Sequence, residues 1–322
     1  MTQQSSAIHV APAVLPEASG LAWGFLGVTA FSFTVPFTRV AGHDGLAPLF
    51  IGAGRAVVAA LLATVALLAT RQALPSARQW LRLAVVASGV VAGFPLLTSF
   101  ALTRTPASHG AVVIGLLPAA TAAAAVLRGR ERVSPAFWTS AGLGVAAVAL
   151  FAAVHDGGLG SLHWADALLL GAVLAAAVGY AEGGLLSRDL GAWQTVSWAL
   201  VLAAPVMLAL SGASALHTHP SGTPHQWLAF AYLSCISMFL GFFAWYRGLA
   251  IGPMTRVSQV QLVQPVLSIA WAALLLHEHV GPATVLGGLA VVACAGSAVR
   301  RRRPVTPTRA AAARRGTPAA SR

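Results

Sequence analysis

Charged side chains are scarce in this chain, and lysine is absent. Only 9% of the 322 residues are charged, whereas a soluble domain usually carries about 25%. The 20 basic residues are all arginine, and only 8 acidic residues oppose them. Because 57% of the residues are hydrophobic, too few polar groups remain to cover a water-exposed surface. The composition therefore excludes an ordinary soluble domain and predicts a membrane protein.

Cysteine is nearly absent, and so are the common nucleotide-binding and hydrolase motifs. Cys235 and Cys294 both lie within apolar runs, so we expect small buried side chains and no disulfide framework. The sequence contains no GxxxxGKS or GxxxxGKT, and neither HExxH nor GxSxG occurs. We therefore expect a protein that is not an enzyme and that needs no cofactor and no metal ion.

Long apolar runs dominate what is present. A membrane helix needs about 20 mostly apolar residues, and ten runs meet that length. They cover roughly 21–40, 48–70, 80–101, 107–127, 134–153, 165–186, 192–211, 227–246, 255–276 and 282–299. The pattern predicts an all-α polytopic membrane protein with ten transmembrane helices. Its parts are a tail at 1–19, a first unit at 20–153, a second at 154–299 and a basic tail at 300–322.

Arginine placement predicts how the chain is oriented. Nine arginines in loops on the side of the N-terminus and eight in the C-terminal tail lie on one side of the membrane, whereas only Arg39 and Arg104 lie on the other. Cytoplasmic loops carry such an excess, so we expect both termini to be cytoplasmic in the plasma (inner) membrane. The same distribution favours membrane orientation over a basic surface that binds nucleic acid. The tail is expected to contact solvent or anionic lipid headgroups.

The chain repeats itself after 147 residues. Residues 118–131 read PAATAAAAVLRGRE and residues 265–278 read PVLSIAWAALLLHE. Without a gap, 13 of the 45 residues in 102–146 match 249–293, among them three prolines and one glutamate. Five predicted spans per unit is an odd number, so the second unit enters the membrane from the opposite side. Such inverted-topology repeats predict a transporter that works by alternating access.

The two copies resemble a known family. Residues 100–131, FALTRTPASHGAVVIGLLPAATAAAAVLRGRE, and residues 246–278, YRGLAIGPMTRVSQVQLVQPVLSIAWAALLLHE, are similar to the EamA repeats of the drug/metabolite transporter superfamily. The shared pattern is a small-residue stretch, a mid-helix proline and a closing glutamate, although the start of the motif differs between the copies. The resemblance covers residues 20–299. It implies a ten-helix inner-membrane permease, often an exporter of amino acids, other metabolites or drugs.

Two charged residues are predicted to lie within spans. Glu182 lies in the sixth span, where a carboxylate is costly, so it is a candidate for proton coupling; the alternative is a partly hydrated residue paired with an arginine. Arg55 lies early in the second span. Three interpretations are open for it: contact with a substrate carboxylate, a pair with Glu182, or extension toward the headgroups.

The ninth span is unusually polar. Proline removes a backbone donor and frees a carbonyl one turn earlier, which together with two amides suits a polar cavity for a small solute. Hydrogen bonds between helices are the alternative explanation. At 100° per residue, one face of a continuous helix would carry the candidate residues Ser258, Gln261, Gln264, Pro265 and Ser268.

Aromatic and helix-terminal residues complete the set of candidates. Tyr180 and Trp245 are expected to line a substrate cavity or to anchor the helices at the interface. Pro118 and Pro265 are expected to be hinge or helix-shape residues. Glu131 and Glu278 close their helices and are expected to cap backbone N–H groups of a following helix. Pairs of small residues allow close helix packing within the chain or in a homodimer.

The sequence thus predicts a secondary transporter that moves a small metabolite or drug-like solute, with amino acids as the leading class and export as the direction. Its partners are the solute and membrane lipid. Alternatives are an importer or lipid-linked-solute flippase of the same fold, and a membrane partner protein that transports nothing.

Overall fold

The computed structural model describes residues 17–129, 135–155, 164–251, 257 and 260–301. Within these residues every regular element is helical. The α-helices are α1 Glu17–Ser32, α2 Thr34–Gly42, α3 Pro48–Ala69, α4 Ala77–Val86, α5 Phe94–Ala101, α6 Ala107–Ile114, α7 Leu117–Gly129, α8 Pro135–His155, α9 Trp164–Leu190, α10 Ala192–His217, α11 Pro224–Tyr232, α12 Gly241–Ile251, α13 Gln264–Leu276 and α14 Pro282–Arg301.

Three short segments of other helix types join these elements. A π-helix over Ala87–Gly93 connects α4 to α5, and a second over Leu233–Leu240 connects α11 to α12. A 3-10 turn over Gln261–Val263 precedes α13. Both π-helices lie within long apolar runs that cross the hydrocarbon region. A π-helix keeps the backbone hydrogen-bonded within the helix there, as a membrane-spanning segment requires.

Seven helical stretches among the described residues are long and apolar enough to cross a bilayer. They agree within a few residues with predicted spans one to four and six to eight: Ser19–Gly42, Pro48–Ala69, Ala77–Ala101, Ala107–Arg128, Trp164–Leu190, Ala192–His217 and Pro224–Ile251. Two shorter apolar helices cover Gln261–Leu276 and Pro282–Cys294. The molecule is therefore a multi-pass membrane protein.

The repeat found in the sequence is also present in the local structure. Ser76 and Gln79 form a capping box at the start of α4, and Thr223 and Gln226 form the same box at the start of α11, 147 positions later. The two π-helices end at Gly93 and Leu240, again 147 positions apart. Equivalent positions therefore adopt the same local geometry even where their side chains differ.

Both copies of the proline motif lie where a helix is interrupted. Helix α6 ends before Gly115 and α7 begins at Leu117, so Pro118 is in the first turn of a new helix. Pro265 has the same place at the start of α13. Proline has no N–H and fits this position better than a helix interior. The two breaks meet, because a Cβ built on Gly115 would lie 3.3 Å from Cγ of Pro265.

Candidate functional site

A small cavity lies between the two halves of the fold. Its volume is about 20 Å³, which is room for about one water molecule. No metabolite fits a space of that size between the described side chains. Both halves contribute to its lining, which includes Phe31, Thr34, Arg55, Tyr180, Ser237 and Gln264.

Arg55 is the charged group of this cavity. It lies in the second turn of α3, is only 1% exposed, and its Nε and Nη2 atoms have no hydrogen-bond partner among the described residues. The suggested pair with Glu182 is not formed, and the side chain does not extend to the surface. A buried cation without a counter-charge is costly.

The acidic residues around the fold are engaged elsewhere. Asp44 contacts His43, Asp166 contacts His109, and Asp189 contacts Arg82. Glu182 and Glu278 also have other partners, as described below. Among the described side chains, therefore, no carboxylate forms an ion pair with Arg55.

Uncharged polar atoms extend the site. Gln264 lines the cavity, and its Oε1 atom is buried without a hydrogen-bond partner among the described residues. Gln261, in the preceding 3-10 turn, is also buried, and neither its Nε2 nor its Oε1 has a partner there. The hydroxyls of Thr34 and Ser237 lie 2.7 Å apart and bond to each other. Buried side-chain amides normally form hydrogen bonds, so the unpaired atoms of Gln261 and Gln264 are exceptions to that rule.

Aromatic rings form the other wall. Tyr180 stacks on Phe31 with ring centroids 6.3 Å apart and meets Phe242 edge-on at 5.8 Å. Trp245 is fully buried and packs against Tyr180 at 5.9 Å, away from the cavity lining. Tyr180 thus lines the cavity, whereas Trp245 packs against the Tyr180 ring and does not line the cavity.

Ser268 has an evident structural contact. Its hydroxyl donates to the carbonyl oxygen of Ser32 at 2.7 Å, and Trp271 donates through Nε1 to the Ser32 hydroxyl at 3.0 Å. Ser32 ends α1, so these bonds satisfy polar groups where the first span is interrupted. Ser258 lies outside the described residues. Because a 3-10 turn interrupts residues 261–263, the continuous helical face expected for the ninth span is not formed.

Glu182 lies in a charged cluster at the arginine-rich end. Its carboxylate accepts a hydrogen bond from Nε of Arg82 and another from Nε of Arg128 at 2.7 Å. Nη1 of Arg82 also donates to Asp189 at 3.2 Å. Glu182 is 4% exposed, whereas the side chains of Arg128 and Asp189 are 57% and 62% exposed. The ion-pair network that connects α4, α7 and α9 therefore extends from a buried carboxylate to the surface.

Glu278 lies at the opposite end of the molecule. His277 has φ +53°, a left-handed conformation that ends α13 and turns the chain toward α6. The Glu278 carboxylate accepts bonds from the backbone N–H groups of Ala107 at 2.8 Å and Ser108 at 2.9 Å, so it caps α6 of the first unit and not the following helix, which is the one that the sequence predicts. A carboxylate at a helix N-terminus accepts hydrogen bonds from the free N–H groups there and interacts favourably with the positive end of the helix dipole. Glu131, its partner in the repeat, lies outside the described residues.

Sequence reasoning missed several of these groups. Thr34 and Ser237 are short hydroxyls within apolar runs, and nothing in those runs marks them. Asp166 meets His109 with 2.6 Å between Oδ1 and Nε2, and both residues are buried. A carboxylate and an imidazole at the ends of two apolar runs are a detectable signal, but their pairing depends on how α6 packs against α9.

Comparison with known proteins agrees with this architecture. The profile of the EamA-like transporter family matches the chain twice, over residues 18–153 and 163–298. The chain is 46% identical over 285 residues to the uncharacterized transporter YdeK of Bacillus subtilis (strain 168), which covers 86% of this chain and 96% of the relative. One solved crystal structure is similar at a TM-score of 0.59 and 22% identity, covering 88% of this chain and 98% of that one, which shows the fold alone. The chain belongs to the EamA-like transporter family.

Proposed function

We propose that this transporter moves small amphipathic solutes that carry a carboxylate, with amino acids as the leading class, by alternating access. The observation that supports this proposal is the buried guanidinium of Arg55, which has no acidic partner among the described residues. A solute carboxylate would supply the missing charge and two acceptor oxygens. Gln264 and Gln261 would bind its other polar groups, and Phe31 and Tyr180 its apolar part.

The proposed architecture is ten transmembrane helices in two inverted repeats, residues 20–153 and 154–299. The paired capping boxes and paired π-helices support equivalence of the two units. Five spans per unit would invert the second unit. The excess of arginine at one end supports a cytoplasmic location of both termini in the plasma membrane.

Two polar contacts are suited to act as gates. On the arginine-rich side, Glu182 holds α4, α7 and α9 together through Arg82 and Arg128. On the opposite side, Glu278 holds α13 to α6. In this proposal, each side of the protein opens when its own contact is lost while the contact on the other side persists. The chain bends at the helix interruptions before Pro118 and Pro265. The repeat assigns Glu131 the role of Glu278 on the arginine-rich side.

Glu182 remains the proposed proton-coupling residue, through the same gate. While the gate is closed, two guanidinium groups stabilise the ionised carboxylate. Opening would withdraw them and leave the carboxylate beside apolar walls, where the neutral form is favoured. Proton uptake would then accompany opening. Export is proposed from the family resemblance; import and movement of a lipid-linked solute remain alternatives within this fold.

Counterflow in proteoliposomes tests the proposal. We would offer labelled amino acids, the matching amino acid amides and cationic dyes to wild type and to Arg55→Gln. Movement of amino acids but not of their amides, lost in Arg55→Gln, is the expected result. Movement of amides or dyes with no carboxylate solute transported would overturn the substrate class. A protein that remains folded and moves nothing would favour the non-transporting alternative.

A further inference from the structure

A second, larger cavity lies away from the central site, on the outer surface between α4, α7 and α9. Its volume is about 630 Å³, and most of its surface is apolar. Leu81, Leu127 and Leu174 line it and are 73%, 69% and 64% exposed, so the groove opens sideways to the surrounding hydrocarbon. One end carries Arg82, Arg128 and Glu182.

That charged end continues into a third cavity of about 350 Å³. The two cavities share Arg82 and Arg128, and the third adds Arg78, Arg188 and Asp189. Four guanidinium groups therefore face two carboxylates, which leaves two positive charges in excess. Arg78, Arg128 and Arg188 are exposed, so they can bind a ligand without first being released from a buried site.

The apolar groove is long enough for a lipid tail. It shares Ala120, Ala123 and Leu174 with a further apolar cavity of about 470 Å³, which reaches Leu116. Leu116 and Arg128 are 12 positions apart, about 18 Å along a helix, and one leaflet of the hydrocarbon core is about 15 Å thick. An acyl chain that begins at the arginines would follow the groove to the bilayer centre.

We propose that this groove binds one anionic phospholipid. The phosphate would lie among Arg78, Arg128 and Arg188, and an acyl chain would lie between α4, α7 and α9. Charge complementarity selects the headgroup, since a basic pocket between membrane helices favours anionic lipid. A soluble anion would make no contact with the apolar groove, and a neutral lipid would not balance the excess positive charge. The proposal does not depend on the identity of the transported solute.

Native mass spectrometry of the full chain tests the proposal directly. The protein would be purified from nanodiscs of phosphatidylglycerol mixed equally with phosphatidylcholine, and retained lipid would be counted. Retention of one phosphatidylglycerol in clear preference to phosphatidylcholine is expected. Equal retention of the two lipids by the wild type would overturn the proposal without any variant.

Variants locate the site. Arg78→Gln with Arg188→Gln removes two exposed guanidinium groups and leaves the Glu182 ion pairs in place. Each interfacial arginine contributes about fivefold to anionic lipid binding, so the double variant should weaken retention about 25-fold. Arg104→Gln, exposed at the opposite end, is the matched control and should retain lipid as wild type does. Unchanged retention in the double variant would overturn the assignment.

Two further measurements distinguish binding of a lipid through its acyl chain from binding of a soluble anion. Ala123→Phe fills the groove without changing charge and should reduce retention of phosphatidylglycerol. Inorganic phosphate, which has no acyl chain, should displace the lipid poorly at millimolar concentration. If phosphate displaces it fully while Ala123→Phe has no effect, the pocket is a soluble-anion site and the lipid proposal is wrong. Melting temperatures of all variants check that each is folded.

Discussion

The carboxylate of Glu278 accepts a hydrogen bond from the backbone N–H of Ala107 at 2.8 Å, so the end of α13 is held to the start of α6. These two residues are 171 positions apart and belong to different family repeats. One side chain thereby joins the two halves at the end opposite the arginine cluster, and its second oxygen holds the next N–H as well.

Removing this charge should loosen that end. Glu278→Gln keeps the size but leaves a single amide oxygen for two donors, so we expect a loss of about 1 kcal/mol in stability, typical of a helix N-cap. Thermal unfolding in detergent measures it. Asp44→Asn, on an acid that is 91% exposed at the same end, is the charge-matched control and should melt as wild type does. An equal shift in both variants would contradict the capping role.

Arg55→Gln should abolish uptake of carboxylate solutes without lowering the melting temperature. The substitution removes a buried charge that has no acidic partner among the described residues, so folding loses no ion pair. Counterflow and thermal unfolding are measured on the same preparation, with Arg104→Gln as the exposed control. A large drop in melting temperature with normal transport would assign Arg55 to the structure instead of the solute.

Glu182→Gln should uncouple transport from the proton gradient. Solute exchange without a gradient is expected to continue, whereas acceleration by a pH gradient should disappear, because the amide takes up no proton. Asp189→Asn is the matched control, since Asp189 also contacts Arg82 but its side chain is 62% exposed. Persistent gradient dependence in Glu182→Gln would exclude this residue as the proton site.

Gly89→Ala should destabilise the packing of the first π-helix on α9. A Cβ at this position would overlap the carbonyl oxygen of Ala175 and lie 3.1 Å from Cα of Gly179, so backbone must move. Overpacking of this kind costs about 1–3 kcal/mol. Gly212→Ala, in α10 with open space around it, is the control and should stabilise its helix slightly. The comparison is made by thermal unfolding, and equal effects would refute close packing at Gly89.

The repeat shows which structural features depend only on residues close together in the sequence. Capping boxes, helix interruptions before proline and helix starts depend on residues within one turn, so the 147-residue period explains why they recur in both halves. Periodicity alone treats an apolar run as one helix, so it does not predict the interruption before Pro265. The effect is visible at Gln261, which lies in a 3-10 turn and not on the expected face.

Composition and repetition by themselves determined that this chain is a membrane protein of two related units, because bilayer solubility and an internal period are properties of the linear sequence. Only the tertiary structure decided the partners of the polar residues. Arg55 lies at the same cavity as Gln264, and Glu182 pairs with Arg82 and Arg128 instead of with Arg55. Those contacts depend on the rotation and crossing of packed helices, and residues 54 to 209 positions apart carry no local signal of them.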